Sequence, residues 1–318
     1  MRGLLLVVVG LVVAGLVFAW TLLGSATITK ETTFTIPAGA SVARVADKLE
    51  AEGLISSASG FILQARIFGS DAPIQAGEFL LTPDMSQRDI LAAFQSGDVI
   101  RRFVTIPEGM PSILVWERLM AEELLTGEVD VPPEGSILPD TYAFERGQSR
   151  ASLVEQMQAA MDKALAEEWA RRGPGIAVDT LRDALILASI VEKETGKPEE
   201  REMVAGLYSN RVRTGMKLQA DPTIIYPITK GKPLGRRIRQ SEIAAVNGYN
   251  TYTRVGLPDG PITNPGRASI AAVMNPARTS ALFMVADGTG GHWFADTLEQ
   301  HNANVAKWYA IRRERGEM

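Results

Sequence analysis

The sequence predicts an α+β protein with one N-terminal transmembrane helix, a small α+β module and a larger mixed α+β domain. Three observations predict it. The first twenty-odd residues form an uncharged apolar run. A strand, turn, capped helix pattern then recurs over the next stretch. Beyond it, long periodic helices alternate with loops dense in Pro and Gly.

From Gly3 to Ala26 there is no charged side chain, and Leu4 to Leu23 is almost wholly apolar. A helix rises about 1.5 Å per residue, so roughly 20 such residues cross a hydrocarbon core of about 30 Å. A cleaved secretory signal is the other reading. Its apolar region is usually about 7–15 residues, shorter than this run, and Ser25-Ala26-Thr27 is a poor cleavage site. The expected arrangement is a short cytoplasmic end over 1–3 and an anchor over 4–24. Arg2 biases the short end to the cytoplasm, which leaves a single-pass protein of the cytoplasmic (inner) membrane with its body in the periplasm.

Composition excludes several chemistries. Net charge is −4, which gives no sign of nucleic-acid binding. There is no cysteine, hence no thiolate metal site and no thiol nucleophile. With only His292 and His301, a His-rich zinc site is not expected, and neither His has a nucleophile-elbow motif to serve. No cofactor and no metal are implied.

The elements follow in order. Phe34-Thr35-Ile36-Pro37-Ala38-Gly39 precedes Ser41 and a helical pattern through Val42, Val45, Leu49 and Leu54. Phe79 to Pro83 precedes Ser86 and Ile90, Leu91, Phe94. Val104-Thr105-Ile106-Pro107-Glu108-Gly109 precedes Ile113, Val115 and Leu119. Each reads as a short strand, a turn, a cap and an amphipathic helix. Residues 31–105 are therefore read as a compact module. It serves either as a glycan- or partner-binding domain or as a spacer that lifts the rest off the membrane. A second, larger domain is expected over 106–318.

Within that domain Glu123 to Gly135 reads as a loop, Ile137 to Tyr142 as a strand with a turn, and Ala151 to Arg172 as an amphipathic helix. Asp179 is read as the cap of the next helix. Leu181, Ala184, Leu185, Leu187, Ala188, Ile190 and Val191 surround most of its circumference, so it is expected to be buried. It ends at Glu192-Lys193-Glu194-Thr195-Gly196-Lys197-Pro198, with Gly and Pro as stop signals. Two residues apart on a helix is about 200°, so Glu192 and Glu194 cannot share a face. The helix dipole and desolvation both disfavour an ionised carboxyl there. A raised pKa suits a general acid near neutral pH. Solvated glutamates in a terminal turn are the plainer reading of the same residues.

Loops rich in amide, hydroxyl and aromatic groups follow: Leu218-Gln219-Ala220-Asp221-Pro222-Thr223 before the apolar Ile224-Ile225-Tyr226, then Tyr249-Asn250-Thr251-Tyr252, Gly256-Leu257-Pro258 and Asn264-Pro265-Gly266. Aromatic faces stack on sugar rings, and amides and hydroxyls pair with sugar hydroxyls. These loops, with Ala188-Ser189-Ile190-Val191-Glu192-Lys193-Glu194-Thr195, Asn210-Arg211, Val285-Ala286-Asp287-Gly288, Gly291-His292 and Phe294, run in order over residues 180–305. In that order they resemble the MltG (YceG-like) family of endolytic murein transglycosylases. The 31–105 module more loosely resembles the family's LysM-like domain, and 106–318 its catalytic domain.

The resemblance implies cleavage of peptidoglycan glycan between N-acetylmuramic acid and N-acetylglucosamine, leaving a 1,6-anhydro end, with one carboxyl as general acid and then base. It implies Glu194 for that role and Glu192 as a supporting or structural carboxylate, set among the substrate-binding residues; a raised pKa alone does not choose between them. Gln219, Asp221, Tyr249, Asn250, Thr251 and Tyr252 are the expected groove residues. Asn210-Arg211 reads equally as structural, and His292 either as a group that reaches the site or, more plainly, as a strand-end hydrogen bond. Expected partners are peptidoglycan glycan strands, the membrane through the single anchor, and wall-synthesis proteins such as penicillin-binding proteins; no nucleic acid is expected. Two other functions fit the residues: a non-catalytic peptidoglycan-binding scaffold for synthases, and a hydrolytic muramidase using a second carboxylate, for which Asp221 is the candidate.

Overall fold

The computed structural model describes residues 25–317. The anchor expected over 4–24 lies outside the described residues, among which no helix is long and apolar enough to cross a membrane. The chain divides into two compact units. One takes the described residues up to Arg102 together with Ala143–Gly147; the other takes Phe103–Tyr142 and the described residues from Gln148 onward.

The first unit is built on strand β1 (Thr32–Ile36), helices α1 (Val42–Ala51) and α2 (Ala58–Phe68), strand β2 (Gly77–Leu81) and helix α3 (Gln87–Ser96). β1 and β2 pair antiparallel, Thr32 opposite Leu81 and Ile36 opposite Gly77. Phe34, Ile36, Phe79 and Leu81 point inward, the two-residue alternation of a half-buried strand. Phe34 and Phe94 stack at 5.6 Å, and Phe79 meets Phe94 edge-on at 4.8 Å. Ser41 caps α1, and Ser86 with Asp89 forms a reciprocal capping box on α3, so the strand, turn, cap, helix reading matches the local structure. Buried Glu78 is held by Arg102 at 2.6 Å and Arg146 at 3.2 Å.

Strand β3 (Arg102–Thr105) starts at the last residue of the first unit and strand β4 (Thr141–Phe144) ends in its returning segment; between them in sequence the second unit carries helix α4 (Ser112–Ala121). Ile137 to Asp140 is not strand; the expected strand starts later, at Thr141. The guanidinium of Arg150 donates to the carbonyls of Leu119, Met120, Glu122 and Gly127. It thereby satisfies the orphan acceptors at the end of α4.

Helix α5 (Arg150–Ala170) leads to α6 (Leu181–Glu194). α6 is capped by Thr180, whose hydroxyl accepts from the Asp183 amide at 3.0 Å, one residue past the expected Asp179. Its Ala184, Leu187, Ala188, Ile190 and Val191 are buried. They pack in one cluster with residues of α5, of α7 (Arg201–Arg213, after a 3-10 turn at Pro198–Glu200) and of α10 (Arg267–Met274). Short helices α8 (Pro222–Thr229) and α9 (Gln240–Ile243) come between, and the hairpin β5 (Phe283–Ala286) with β6 (His292–Ala295) precedes the last helix, α11 (Leu298–Glu314). Pro222 and Thr223, the end of the stretch read as a polar loop, are thus already helix, which continues through the apolar Ile224-Ile225-Tyr226. Pro222 occupies its first turn, where a missing N–H costs nothing.

Close approach in this core depends on Gly206. A Cβ there would lie 2.5 Å from the Ala277 carbonyl oxygen and 2.9 Å from the Thr279 methyl. Gly206→Ala should therefore destabilise by about 1–3 kcal/mol, although the same change in an open helix is stabilising. A lower urea midpoint with unchanged slope checks this.

Candidate active site

The two carboxylates of α6 diverge, as their spacing requires. Glu192 turns to the Asn264-Pro265-Gly266 loop. Its Oε2 accepts from the Gly266 amide at 3.0 Å and from the Ser269 hydroxyl at 2.7 Å. Gly266 has no room for a side chain, since a Cβ would lie 2.0 Å from Glu108 Oε1. In the same loop Asn264 is fully buried. Its Oδ1 accepts from the Ile137 amide, and its Nδ2 donates to the Met110 carbonyl and the Ser112 hydroxyl. Glu192 therefore braces α6 against this loop and the start of α10.

Glu194 ends the helix on the other side. It lines a cleft of about 380 Å³ with Tyr208, Arg211, Gln219, Asp221, Tyr252, His292 and residues 284–286 of β5. Its Oε1 is shielded from solvent and has no hydrogen-bond partner. Burial pushes its pKa up from an ordinary 4.5 to about 8. The negative charge of Asp221 adds to the rise, while a hydrogen bond from Tyr208 and the charge of Arg211 oppose it. The carboxyl thus holds its proton through neutral pH.

The groups around it come from separate elements. Asp221 is exposed at the start of α8, and its Oδ1 accepts from the Tyr252 hydroxyl at 2.6 Å. Gln219 is exposed and left-handed at φ 51°, a conformation uncommon outside glycine. Its amide donates to the Thr251 carbonyl at 3.2 Å. Arg211 is buried; it donates to the carbonyls of Leu282 at 2.6 Å, Leu218 at 2.5 Å and Lys217 at 3.3 Å, and sits over the Phe283 ring. Asn210 beside it donates to the carbonyls of Thr279 and Ala281. Both therefore tie α7 to the β5 strand and the segment before it.

His292 is held by one carboxylate at two points: its amide donates to Glu200 Oε1 at 2.9 Å, and its Nδ1 lies 2.9 Å from Glu200 Oε2. Burial raises the Glu200 pKa, but the His292 hydrogen bonds and charge and the Thr195 hydroxyl outweigh it, leaving the net value lowered. Gly291 must lack a side chain, because a Cβ would meet Glu200 Oε1 at 2.3 Å.

Three expected groove residues lie elsewhere. Asn250 is fully buried; its Nδ2 donates to the carbonyls of Glu242, Ile243 and Ala245, and its Oδ1 accepts from the Tyr252 amide. Thr251 is fully buried against Thr223, hydroxyl to hydroxyl at 2.8 Å. These two build the loop that presents Tyr252. The Tyr249 ring lies tilted against Tyr226, centroids 4.8 Å apart, and Tyr226 bonds to Glu134; Tyr249 is not among the residues lining the Glu194 cleft. Burial raises Glu134, against hydrogen bonds from Ser112, Tyr226 and Gly135. Sequence reasoning missed Tyr208, Glu200 and Glu134. Tyr208 and Arg211 are three apart on α7 and so share a face; that spacing was the available signal.

Residues 34–307 match the YceG-like family. An endolytic murein transglycosylase of Streptococcus pneumoniae (serotype 2, strain D39 / NCTC 7466) is 30% identical over 328 residues, covering 87% of this chain. The chain spans 58% of that relative's length. An endolytic murein transglycosylase of Bacillus subtilis (strain 168) is 25% identical over 88% of this chain and 85% of the relative. The crystal structure of a protein described as yceG-like, from Listeria monocytogenes, superposes with a TM-score of 0.53 at 27% identity, over 86% of this chain and 99% of that one. With motifs, fold and a match over most of its length in agreement, the chain belongs to the YceG-like family.

Proposed function

We propose that this chain is a membrane-anchored endolytic peptidoglycan transglycosylase with Glu194 as its single acid and base. The observation that carries the reading is the Glu194 carboxyl, protonated at neutral pH and unpartnered at Oε1, in a cleft with a second carboxylate and a tyrosine. The names of the S. pneumoniae and B. subtilis relatives support it.

The reaction balances with that one group. Glu194 donates its proton to the oxygen between N-acetylmuramic acid and N-acetylglucosamine, and the C1–O bond breaks. The muramyl 6-hydroxyl closes on C1, and its proton passes to the Glu194 carboxylate, restoring the acid. No water is consumed. Asp221 stands where its charge favours both a protonated Glu194 and the positive charge building at the anomeric carbon. Tyr252 and Gln219 supply a ring face and an amide for the sugar.

The 4–24 segment is the anchor in this reading, and residues 31–105 a LysM-like module that holds glycan. The anchor confines the enzyme to glycan near the outer face of the cytoplasmic membrane. That glycan is newly made, so the expected effect is termination of elongation, and wall-synthesis proteins are the expected neighbours. Incubation with intact sacculi tests the reading: anhydro-ended fragments should appear in the digest by mass spectrometry. Binding with no such fragments would leave a scaffold instead.

The pH profile gives a sharper check. Proton donation requires protonated Glu194, so kcat/KM should fall as pH rises, along an alkaline limb with a midpoint near pH 8. Removing the Asp221 charge lowers the Glu194 pKa. In Asp221→Asn the alkaline limb should therefore move to lower pH, and a limb that stays in place would remove Asp221 from this role.

A further inference from the structure

Helix α2 carries apolar side chains that nothing in the first unit covers. Leu63, Ile67 and Phe68 are 42%, 57% and 54% exposed. Leu63 and Ile67 are four apart and form one stripe, with Ser59 and Arg66 along it; the opposite side, Ala58 and Phe61, is buried in the core, and Phe68, two turns on from Phe61, is exposed at the helix end. Arg88 of α3 sits over the Phe68 ring at 6.0 Å, beside a groove lined by Phe68, Ser70, Arg88, Leu91 and Gln95. The stripe is therefore apolar with basic side chains at its margin.

What covers it follows from where the preceding chain arrives. The apolar run Leu4 to Leu23 ends two residues before Ser25. Ser25 is fastened to the start of α2: its amide donates to the Ser56 hydroxyl at 2.8 Å, and its carbonyl accepts from the Ser56 amide at 2.9 Å. Thr27 continues the clamp through its amide to the Leu54 carbonyl. Ser57 is the cap of α2. Almost no slack separates the end of the apolar run from the first turn of this helix, which is about 16 Å long.

We infer that the Leu63 and Ile67 stripe of α2 and the exposed Phe68 ring at its end lie against the lipid surface, with Arg66 and Arg88 at the headgroup phosphates, fixing how the first unit stands on the membrane. The inference rests on the anchor reading. Three side chains are too few to hold a free protein on a bilayer. They suffice when a span ending a few residues away keeps them at a high effective concentration.

The chain has no cysteine, so a single introduced one labels cleanly. Full-length protein bearing Ile67→Cys with a polarity-sensitive fluorophore is reconstituted into phosphatidylethanolamine and phosphatidylglycerol vesicles, some containing spin-labelled lipid. The label should shift to the blue and be quenched several-fold by the spin-labelled lipid. The same label at exposed Asp84, off the stripe, should not be. Leu63→Ser with Phe68→Ser should abolish the quenching at 67 while the protein stays in the vesicle fraction. Protein that stays with the vesicles but shows no quenching at 67 overturns the inference and leaves the anchor standing. Protein that does not enter the vesicle fraction overturns the anchor and the inference together. A blue shift that needs no lipid and fades on dilution assigns the stripe to a second copy and overturns it too.

Discussion

A Glu194→Gln protein is expected to keep its fold and to lose anhydro-product formation by about 10²–10⁴-fold. Glutamine reproduces the shape of the side chain but cannot deliver a proton to the glycosidic oxygen or take one from the 6-hydroxyl. Neighbouring Glu192 cannot substitute, because its carboxylate is turned to Gly266 and Ser269. Stability should change in a direction that an ordinary surface glutamate would not give. The folded pKa of Glu194, about 8, lies above its ordinary 4.5. Between those values the unfolded chain has released a proton that the folded one still holds, so stability falls as pH rises from about 4.5 to about 8 and is flat above. Glutamine removes that slope. One pKa unit is about 1.4 kcal/mol; with the residual cost of burying an amide, the variant should gain on the order of 3 kcal/mol above pH 8 and little near pH 4. Denaturation curves across that range, run beside product assays, check both effects. An active variant, or one with the wild-type pH slope, would place the acid elsewhere.

Arg211→Met should be the costliest single change near the cleft for stability. It leaves the carbonyls of Leu282, Leu218 and Lys217 without their donor while keeping most of the apolar stem, so the loss is that of the buried fork, about 3–5 kcal/mol. Lysine should not restore it, because one ammonium cannot reach carbonyls that a planar guanidinium spans. The variant also removes a charge that holds the Glu194 pKa down, so any folded fraction should titrate higher. Guanidinium midpoints for the Met and Lys variants test the first point, and wild-type stability in either would contradict it.

How much of this was legible in the sequence depended on whether the determinant was local. The caps Ser41 and Ser86, the buried α6 and the opposition of Glu192 and Glu194 follow from periodicity and could be read directly. Asn250 and Thr251 could not be placed. A polar residue in a Pro- and Gly-rich loop looks the same whether it faces solvent or satisfies the loop's own backbone, as these two do. Tyr208 acts on Glu194 only through the packing of α7 beside α6; its spacing from Arg211 marks a shared face but not which carboxyl that face meets. The return of Ala143–Gly147 to the first unit is a long-range event of the same kind, made visible by Arg146 on Glu78.

The central claim is that Glu194 cuts glycan without water. Digesting intact glycan strands in H₂¹⁸O tests it most directly. The expected products are 1,6-anhydromuramyl ends that carry no ¹⁸O and are lighter by one water than hydrolysed fragments. Reducing ends carrying ¹⁸O would contradict it and make the protein a hydrolase.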